Sequence, residues 1–348
     1  MKHTRICFKL IGILLCLAML LPLAACGESK VSQSEVWAMD TYMTITAYGK
    51  NREAGITAAE SVIRSMDAML DPELDTSVVY AMNRAMGADV VVPGQIAKMI
   101  STAQLVYQRS GGALDLTIYP LVKRWGFVDK KYYVPSAEEI ANDLQLLCFD
   151  EVTLTSFPSS GSYTVSIPAR GQISFGAVAK GCAAAYAIDA MRNAGVTSGI
   201  VSLGGNIQTL GLKPDGSLWR VAITDPNNTS SWVGTVDVGE IAVVTSGTYE
   251  RNFTQQGQFY HHLLKPSTGY PANNTLSSVT ILCEDGTMAD CLSTAMFVLG
   301  ESQALNYWRT YGGFEMIMIT NDNRIICTSG LIEQFTLYNQ NYTLSYTE

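Results

Sequence analysis

The segment from 286 to 299 constrains the fold more than any other stretch, because it predicts a helix that must lie against a core. Its apolar residues recur at helical spacing, and a glycine follows as a natural C-terminal stop. Asp285 or Thr287 is suited to cap its start. Asp290 and Thr294 lie four residues apart, so a helix places their carboxylate and hydroxyl on one face, one turn apart.

Two interpretations of Asp290 and Thr294 are open from the helix alone. Hard oxygen atoms held one turn apart suit Mg²⁺ better than a soft metal. Alternatively, Asp290 accepts a hydrogen bond from a neighbouring backbone N–H, and Thr294 bonds to its own preceding turn. The helix by itself favours this structural interpretation, so a metal site needs support from the rest of the chain.

The first 25 residues have the pattern of a targeting segment. Three basic residues and an apolar run from 10 to 23 precede Leu-Ala-Ala, and Cys26 follows directly. This order resembles the cleavage box of a bacterial lipoprotein. We therefore expect residues 1–25 to be a signal peptide, Cys26 to be lipidated, and residues 26–35 to tether the protein to the extracytoplasmic face of the cell membrane. The alternative is an ordinary secretory signal with an incidental cysteine.

Charge and residue usage exclude several classes of function. Without residues 1–25 the chain has 20 Lys and Arg against 31 Asp and Glu, a formal net charge of −11, which argues against nucleic acid as a partner. Only His261 and His262 remain, and no C-x-x-C pair occurs, so a His/Cys zinc site is not expected. Neither a P-loop nor a strand-bound G-x-G-x-x-G is present. The five cysteines after Cys26 lie mostly in apolar runs and predict buried thiols rather than disulfides.

The rest of the chain predicts one compact α+β domain over residues 36–340, because it has no repeat, long linker or shift in composition. Apolar spacing predicts helices over 52–70, 77–83, 93–110 and, after a strand near 173, a helix ending near 193. Alternation predicts strands over 36–48, 152–167 with a turn at 159–162, 200–203, 219–224, 233–244, 277–283, and two more within 315–337.

Three glycine-rich turns would let a ligand approach the backbone closely. They lie at 111–112, 176–181 and 204–205. The second leads into a helix N-terminus, where free N–H groups and the charge of Lys180 would suit a phosphate. Near the first turn, Trp125 fits a stacking group and a core residue equally well.

Taken together, several short motifs resemble the ApbE family of FAD:protein FMN transferases. The resemblance covers residues 39–300 in the family's order, and its strength lies in the number of motifs in register. The matching segments are Met39-Asp40-Thr41, 112–117 with 125–127, 176–181, 203–206, 245–251, 262–269 and 289–295. The resemblance implies an ApbE-like domain with antiparallel-rich sheets flanked by helices. It also implies Mg²⁺-dependent transfer of FMN from FAD to a threonine or serine hydroxyl of a target protein, with release of AMP.

The resemblance also implies roles for particular residues. His262 matches a histidine implicated in catalysis, and Asp290 could share the role of base. The metal would be bound by Asp290, Thr294 and the backbone oxygen of Ala177. FAD would be bound at Met39, Ala113, Leu114, Asp115, Lys180 and Leu264.

Three positions depart from the family pattern and bear on FAD binding. The family often has Asp at Ser174, an aromatic residue at Glu73, and Asp at Lys265.

Two other functions remain open beside the transferase. One is an FAD pyrophosphatase that releases FMN and AMP, and the other is a non-catalytic flavin-binding lipoprotein. The presence of Asp290, Thr294 and Lys180 argues against the non-catalytic protein. The chain lacks a convincing Asp-x-x-[Ser/Thr]-Gly-Ala-[Ser/Thr] acceptor motif, which favours a modifying enzyme that acts on a separate acceptor protein.

Overall fold

The helices and strands cover most of residues 30–347, which are the residues that this computed structural model describes. The predicted signal peptide and Cys26 lie outside them. Within these residues the α-helices are α1 (Arg52–Leu70), α2 (Val78–Arg84), α3 (Gly94–Ser110), α4 (Tyr119–Arg124), α5 (Ala137–Leu144), α6 (Ala179–Asn193), α7 (Gly286–Leu299) and α8 (Glu301–Tyr311). In this part of the chain, none of these helices combines the length and apolar character needed to cross a bilayer.

The strands of the described chain are mostly short. They are β1 (Val31–Ala38), β2 (Thr41–Tyr48), β3 (Val90–Val92), β4 (Thr153–Phe157), β5 (Ser162–Ser166), β6 (Gly199–Leu203), β7 (Asn206–Leu210), β8 (Trp219–Asp225), β9 (Asn228–Val238), β10 (Ala242–Gly247), β11 (Asn252–Gln255), β12 (Gln258–His261), β13 (Leu276–Cys283), β14 (Glu315–Thr320), β15 (Arg324–Thr328), β16 (Phe335–Leu337) and β17 (Thr343–Thr347).

One large sheet organises the fold. Among the described residues it has nine strands in the order β1-β2-β6-β7-β10-β13-β14-β15-β17, antiparallel except for the pair β15 and β17. The described chain also has two three-stranded sheets, β16-β9-β8 and β3-β5-β4, and the hairpin β11-β12. The prediction of a single α+β domain with antiparallel-rich sheets and flanking helices is confirmed.

Strand β13 shows how the large sheet separates two cores. All eight of its residues are buried. Because side chains alternate along a strand, Ile281 packs into the larger core with α1, α6 and α7, whereas Leu282 packs into a smaller core beneath the sheet β16-β9-β8. The nine-stranded sheet is therefore the central layer of the fold, with one core on each of its faces.

Helix α7 begins and ends at the predicted residues. The side chain of Asp285 accepts hydrogen bonds from the N–H groups of Thr287 and Met288, at 2.8 and 3.4 Å. Asp285 is therefore the cap, and Thr287 is not. Gly300 ends the helix with a positive φ of 77°, a conformation that glycine adopts without strain.

Three boundaries differ from prediction because strand pairing, and not the local pattern, decides them. The segment 36–48 is not one strand but the hairpin of β1 and β2, so β1 begins inside the predicted tether. The segment 233–244 is divided between β9 and β10. The domain continues past residue 340, because β17 pairs with β15. Near residue 173, where a strand was expected, the backbone is irregular. Helices α4 and α8, strands β3, β7 and β16, and the hairpin β11-β12 were not predicted.

The turn of the first hairpin requires an uncommon backbone conformation. Met39 and Asp40 have φ values of 48° and 57°, as in the two-residue turns that match the twist of antiparallel strands. The N–H of Met39 donates a hydrogen bond of 2.7 Å to Oδ1 of Asp67 on α1. Glycine is the residue that this conformation favours at position 40, and the chain has aspartate there.

We predict that Asp40→Gly stabilises the protein. Removing the side chain relieves the left-handed strain, which should raise the free energy of unfolding by about 0.5–1 kcal/mol in chemical denaturation. The matched control is Asp75→Gly, in the exposed turn before α2, where φ is not positive. There the substitution only adds freedom to the unfolded chain and should lower stability. An equal loss in both variants would contradict the assigned strain.

Candidate active site

One cavity of about 180 Å³ gathers the residues to which the sequence assigned roles in binding, metal coordination or catalysis. It lies where the β1–β2 turn, the N-terminal end of α6, helix α7 and the segment after β12 meet. The predicted residues in its lining are Met39, Ala113, Leu114, Asp115, Ala177, Lys180, His262, Leu264, Asp290 and Thr294. The fold thus places residues from distant parts of the chain around one space, while their individual roles stay predictions.

The carboxylate of Asp290 is bound by the N-terminal end of α6. Its Oδ2 accepts a hydrogen bond of 2.8 Å from the backbone N–H of Gly181, and the residue is only 4 % exposed. The sequence predicted that the N–H groups of this turn would suit a phosphate. Instead, one of them binds a carboxylate, because α7 crosses α6 at this point. The partial positive charge of a helix N-terminus stabilises either anion.

Gly181 allows the close approach of α6 and α7. A Cβ atom at this position would lie 2.1 Å from the carbonyl oxygen of Gly286 and 2.6 Å from Cβ of Asp290. Both distances are far below van der Waals contact, so a residue with a side chain would push the two helices apart.

The same hydrogen bond leaves the carbonyl of Ala177 available. In a regular helix, the N–H of Gly181 would bond to the carbonyl four residues earlier, which is that of Ala177. That N–H bonds to Asp290 instead, and no hydrogen bond within residues 30–347 uses the Ala177 oxygen. The cavity therefore has a backbone oxygen free to bind a ligand.

The charge of Asp290 is only partly balanced by its surroundings. Burial raises the pKa of this carboxyl above its usual value, and Lys180, the N–H of Gly181 and the side-chain amide of Asn206 oppose the rise. Asn206 is 1 % exposed, and no hydrogen bond of ordinary geometry pairs its amide within the described chain. A buried carboxylate with few partners is costly, so a cation in the cavity would find a favourable site.

The oxygen atoms around Asp290 fit a hard cation. The Thr294 hydroxyl lies 3.4 Å from that of Ser246, and it does not bond to its own preceding turn. With the Ala177 carbonyl and the second oxygen of Asp290, it offers the all-oxygen surroundings that Mg²⁺ prefers. Among residues 30–347, no group of three or more His, Cys, Asp or Glu side chains could hold a metal ion. Water and phosphate oxygens would have to supply the other ligands, which is usual for Mg²⁺.

His262 has the geometry of a general base. Burial, and then the charge of Arg251, lowers the pKa of His262 below its usual value, so the ring is neutral near pH 7. Nδ1 lies 3.2 Å from the backbone oxygen of Arg251. With the proton on Nδ1, that atom donates to the carbonyl, and Nε2 keeps a free lone pair.

The neighbouring histidine points elsewhere. His261 is buried, its ring packs edge-on against Phe297 with a centroid distance of 5.6 Å, and burial lowers its pKa to about 4. It does not line the cavity. The alternation of side chains along an extended backbone gives the two histidines different surroundings.

Two charged residues of the cavity received no role from the sequence. Glu250 and Arg251 follow β10 within a motif that was noted only for its resemblance. Oε2 of Glu250 lies 3.8 Å from Nζ of Lys180, and that Nζ also donates to the carbonyl of Gly204 at 3.2 Å. Burial raises the pKa of Glu250, and Lys180 opposes the rise. Two adjacent charged residues, shortly after the end of a buried strand, were the sequence signal that could have indicated them.

The first glycine-rich turn leads to a capped segment and a core tryptophan. Oδ1 of Asp115 accepts hydrogen bonds from the N–H and the hydroxyl of Thr117, at 2.7 and 2.6 Å, and burial raises the pKa of Asp115. Trp125 is fully buried, and its indole N–H donates to the carbonyl of Gly269 at 2.9 Å. Because Trp125 does not line the cavity, the interpretation as a core residue holds.

The three departures from the family pattern lie in different surroundings. Ser174 lines the cavity. Glu73 lines an adjoining cavity of about 240 Å³, where it binds Lys123 at 2.7 Å, and that cavity shares Met39 and Ser174 with the first. Lys265 is exposed and is absent from both linings. Of the three, Ser174 is therefore the one placed to contact a ligand in the candidate site.

The sequence and the fold agree with known proteins of one family. The ApbE family model matches residues 39–318. A protein of Treponema pallidum named FAD:protein FMN transferase is 30 % identical over 96 % of this chain and 97 % of its own. The ApbE protein of Thermotoga maritima has a TM-score of 0.78 at 28 % identity, covering 85 % of this chain and 96 % of that one. The flavinyl transferase ApbE of Pseudomonas stutzeri has a TM-score of 0.73 at 28 % identity, covering 84 % and 92 %.

These similarities place the chain in the class of flavin-transferring enzymes. The chain belongs to the ApbE family. The predictions of the family, the fold class and an enzyme that uses FAD are confirmed at this level.

We predict that Gly181→Ala destabilises the protein. The added methyl group must displace α7 or Asp290, which should lower the free energy of unfolding by about 1–3 kcal/mol. Gly176→Ala is the matched control, since a Cβ atom there meets nothing within 4 Å. Chemical denaturation of both variants checks this, and equal stability would contradict the close crossing.

Proposed function

We propose that this chain transfers FMN from FAD to a serine or threonine hydroxyl of an acceptor protein in the presence of Mg²⁺. The acceptor oxygen forms a bond to the phosphorus of the FMN moiety, the pyrophosphate bond breaks, and AMP leaves with the bridging oxygen. The observation that carries the proposal is one cavity with a buried carboxylate, a lysine and a neutral histidine. Membership of the ApbE family and the names of its relatives support it.

Four groups of the chain would act on the phosphates, three of them by holding a cation. Bound Mg²⁺ would neutralise charge on the pyrophosphate and polarise its P–O bonds. Asp290, Thr294 and the Ala177 carbonyl would hold that ion. Lys180, which lines the cavity, would add a positive charge beside the phosphate oxygens on which negative charge develops. This charge would lower the barrier to cleavage of the pyrophosphate bond.

The hydroxyl nucleophile requires a base. A serine or threonine hydroxyl is a poor nucleophile, and a positioned base typically accelerates such a step by about 10²–10⁴-fold. His262 meets the requirement, because Nε2 has a free lone pair when Nδ1–H donates to Arg251. Asp290 could share this role only in so far as the cation leaves one of its oxygens unbound.

The pyrophosphatase remains the second candidate, since water could take the place of the acceptor hydroxyl around the same residues. Incubation with FAD and Mg²⁺, with and without acceptor, separates the two functions. A transferase gives FMN bound covalently to protein, whereas a pyrophosphatase gives free FMN at the same rate in both mixtures.

We predict unequal losses at the two side chains of the metal site. Asp290→Asn keeps the shape but removes the charge that balances the cation, so FMN transfer should fall by about 10²-fold or more. Thr294→Val removes a neutral oxygen that water can replace, so weak activity should return at higher Mg²⁺ concentration. Transfer rates across a Mg²⁺ titration, measured beside thermal melting, check this. Near-normal transfer by Asp290→Asn with unchanged Mg²⁺ dependence would contradict the metal site.

We also propose that the protein is a lipoprotein anchored through Cys26 on the extracytoplasmic face of the cell membrane. The basic start, the apolar run and the Leu-Ala-Ala-Cys order of residues 1–26 support this location.

Cys26→Ala should stall processing or release the protein from membranes, because no thiol remains to carry the lipid. Membrane fractionation and the mass of the product, compared with those of Cys148→Ala in the buried part of the fold, check the prediction. A variant that matures and sediments like the parent would contradict lipidation at Cys26.

A further inference from the structure

A second cavity, of about 590 Å³, shares a wall with the candidate active site. Lys180, Thr245, Glu250 and Arg251 line both cavities. The remaining lining comes mainly from β8, from the turn between β6 and β7, and from the face of the large sheet. We call this cavity the β8 groove. Its inner end lies beside the groups to which the reaction is assigned.

One wall of the β8 groove is an edge strand. Within the described residues, β8 pairs only with β9 in the sheet β16-β9-β8. Four consecutive residues of β8, from 221 to 224, line the groove. Its other edge therefore offers backbone groups to a further strand.

The hydrogen-bond pattern shows which residue of β8 directs its backbone into the groove. Asp237 of β9 pairs with Arg220, but its N–H donates to the carbonyl of Gln334 on the far side, at 3.0 Å. The pair is therefore not hydrogen-bonded, and the N–H and C=O of Arg220 point away from β9. Two residues on, Ala222 has the same orientation because the pattern alternates, and it is exposed. Outside its pairing with β9, it makes no backbone hydrogen bond among residues 30–347.

The floor of the groove is a part of the large sheet that the sheet β16-β9-β8 covers incompletely. The sheet β16-β9-β8 packs over the half that contains Val243, Leu282 and Ile317. Next to β8, Ser202 of β6 and Ile207 of β7 line the groove and are only half-buried.

We propose that an extended segment of the acceptor protein binds in the β8 groove as a fourth strand of the sheet β16-β9-β8. The segment pairs with the free edge of β8 and covers Ser202 and Ile207. The proposal rests on the proposed function and adds the place where its protein substrate binds. Backbone pairing with an edge strand is a recurring mode of peptide recognition, in which alternate side chains supply specificity.

Two requirements of the reaction favour the acceptor over other occupants. A cavity of about 180 Å³ cannot admit a folded domain, so the acceptor hydroxyl must arrive on an exposed segment of chain. The groove leads such a segment to Lys180, Glu250 and Arg251, which also line the reacting cavity. Because β8 has seven residues, the paired segment would span about 23 Å at about 3.3 Å per residue.

Ala222→Pro tests the pairing. Proline removes the outward N–H at a position where it breaks no bond to β9. The assay uses FAD, Mg²⁺ and a synthetic 15-residue peptide that contains Asp-x-x-Thr-Gly-Ala-Thr. We expect kcat/KM for the peptide to fall about tenfold, while FAD affinity, followed by flavin fluorescence, stays unchanged.

Gln33→Pro is the matched control. Gln33 is exposed on β1, which is the edge strand at one end of the large sheet. Its N–H also points outward, because the N–H of Gly49, directly after β2, donates to the carbonyl of Lys30 and the pattern alternates along β1. This variant should transfer FMN as the parent does.

Two modified peptides keep the proposal testable if Ala222→Pro does not fold. Each peptide has N-methyl groups at alternate residues outside the acceptor motif, so that all its methyl groups lie on one edge of the extended chain. The two peptides are methylated on opposite edges. Only one edge can face β8, so one peptide should lose transfer about tenfold relative to the other.

The possible outcomes distinguish a failure of the proposed acceptor binding in the β8 groove from a failure of the proposed function. Failure of the parent to modify the peptide, despite FAD binding, contradicts the proposed function and the groove that rests on it. Transfer by the parent with equal rates for both modified peptides and for Ala222→Pro overturns the groove alone. A parent dimer that Ala222→Pro dissociates, with transfer unchanged, would show that the edge binds a second copy of the chain instead.

Discussion

The hydrogen bond between the N–H of Gly181 and the carboxylate of Asp290 is the contact on which the site depends. It joins the start of α6 to the middle of α7, and it requires that position 181 lack a side chain. The same bond removes the usual donor from the Ala177 carbonyl. One contact between two helices thus orients a buried carboxylate, frees a backbone oxygen and places Lys180 at the cavity. Helix packing and ligand chemistry are therefore inseparable here.

The large sheet extends this arrangement in two directions. On one face, α1, α6 and α7 bury the apolar side of β13 and support the cavity. On the other face, the sheet β16-β9-β8 covers only part of the strands, so Ser202 and Ile207 remain half-buried. Lys180, Glu250 and Arg251 stand between the two cavities that result. This division suits an enzyme with two unlike substrates, a nucleotide that needs enclosure and a polypeptide that needs an open path.

Electrostatics at the site follow from burial more than from the number of charges. The pKa values of Asp290 and Glu250 are raised by loss of water, and the pKa of His262 is lowered by it. Each shift favours the neutral form of its group. A cation bound at Asp290 would oppose the rise in the pKa of that carboxyl. We therefore expect ligand binding and protonation at this site to be coupled.

Local features of the sequence determined the elements whose cause is local. The spacing of α1, the ends of α7 and the glycine-rich turns depend on residues a few positions apart, and these predictions hold. Helical spacing and turn chemistry also indicated Asp290, Thr294 and Lys180 as candidate ligand-binding residues, and resemblance to a family indicated the other predicted lining residues of the cavity. Tertiary structure alone decided the hairpin at Met39, the parallel pairing of β17, and the places of Glu250 and Ala222. Those features depend on strand partners and on contacts between elements, most of them distant in sequence, and spacing along the chain does not specify such partners.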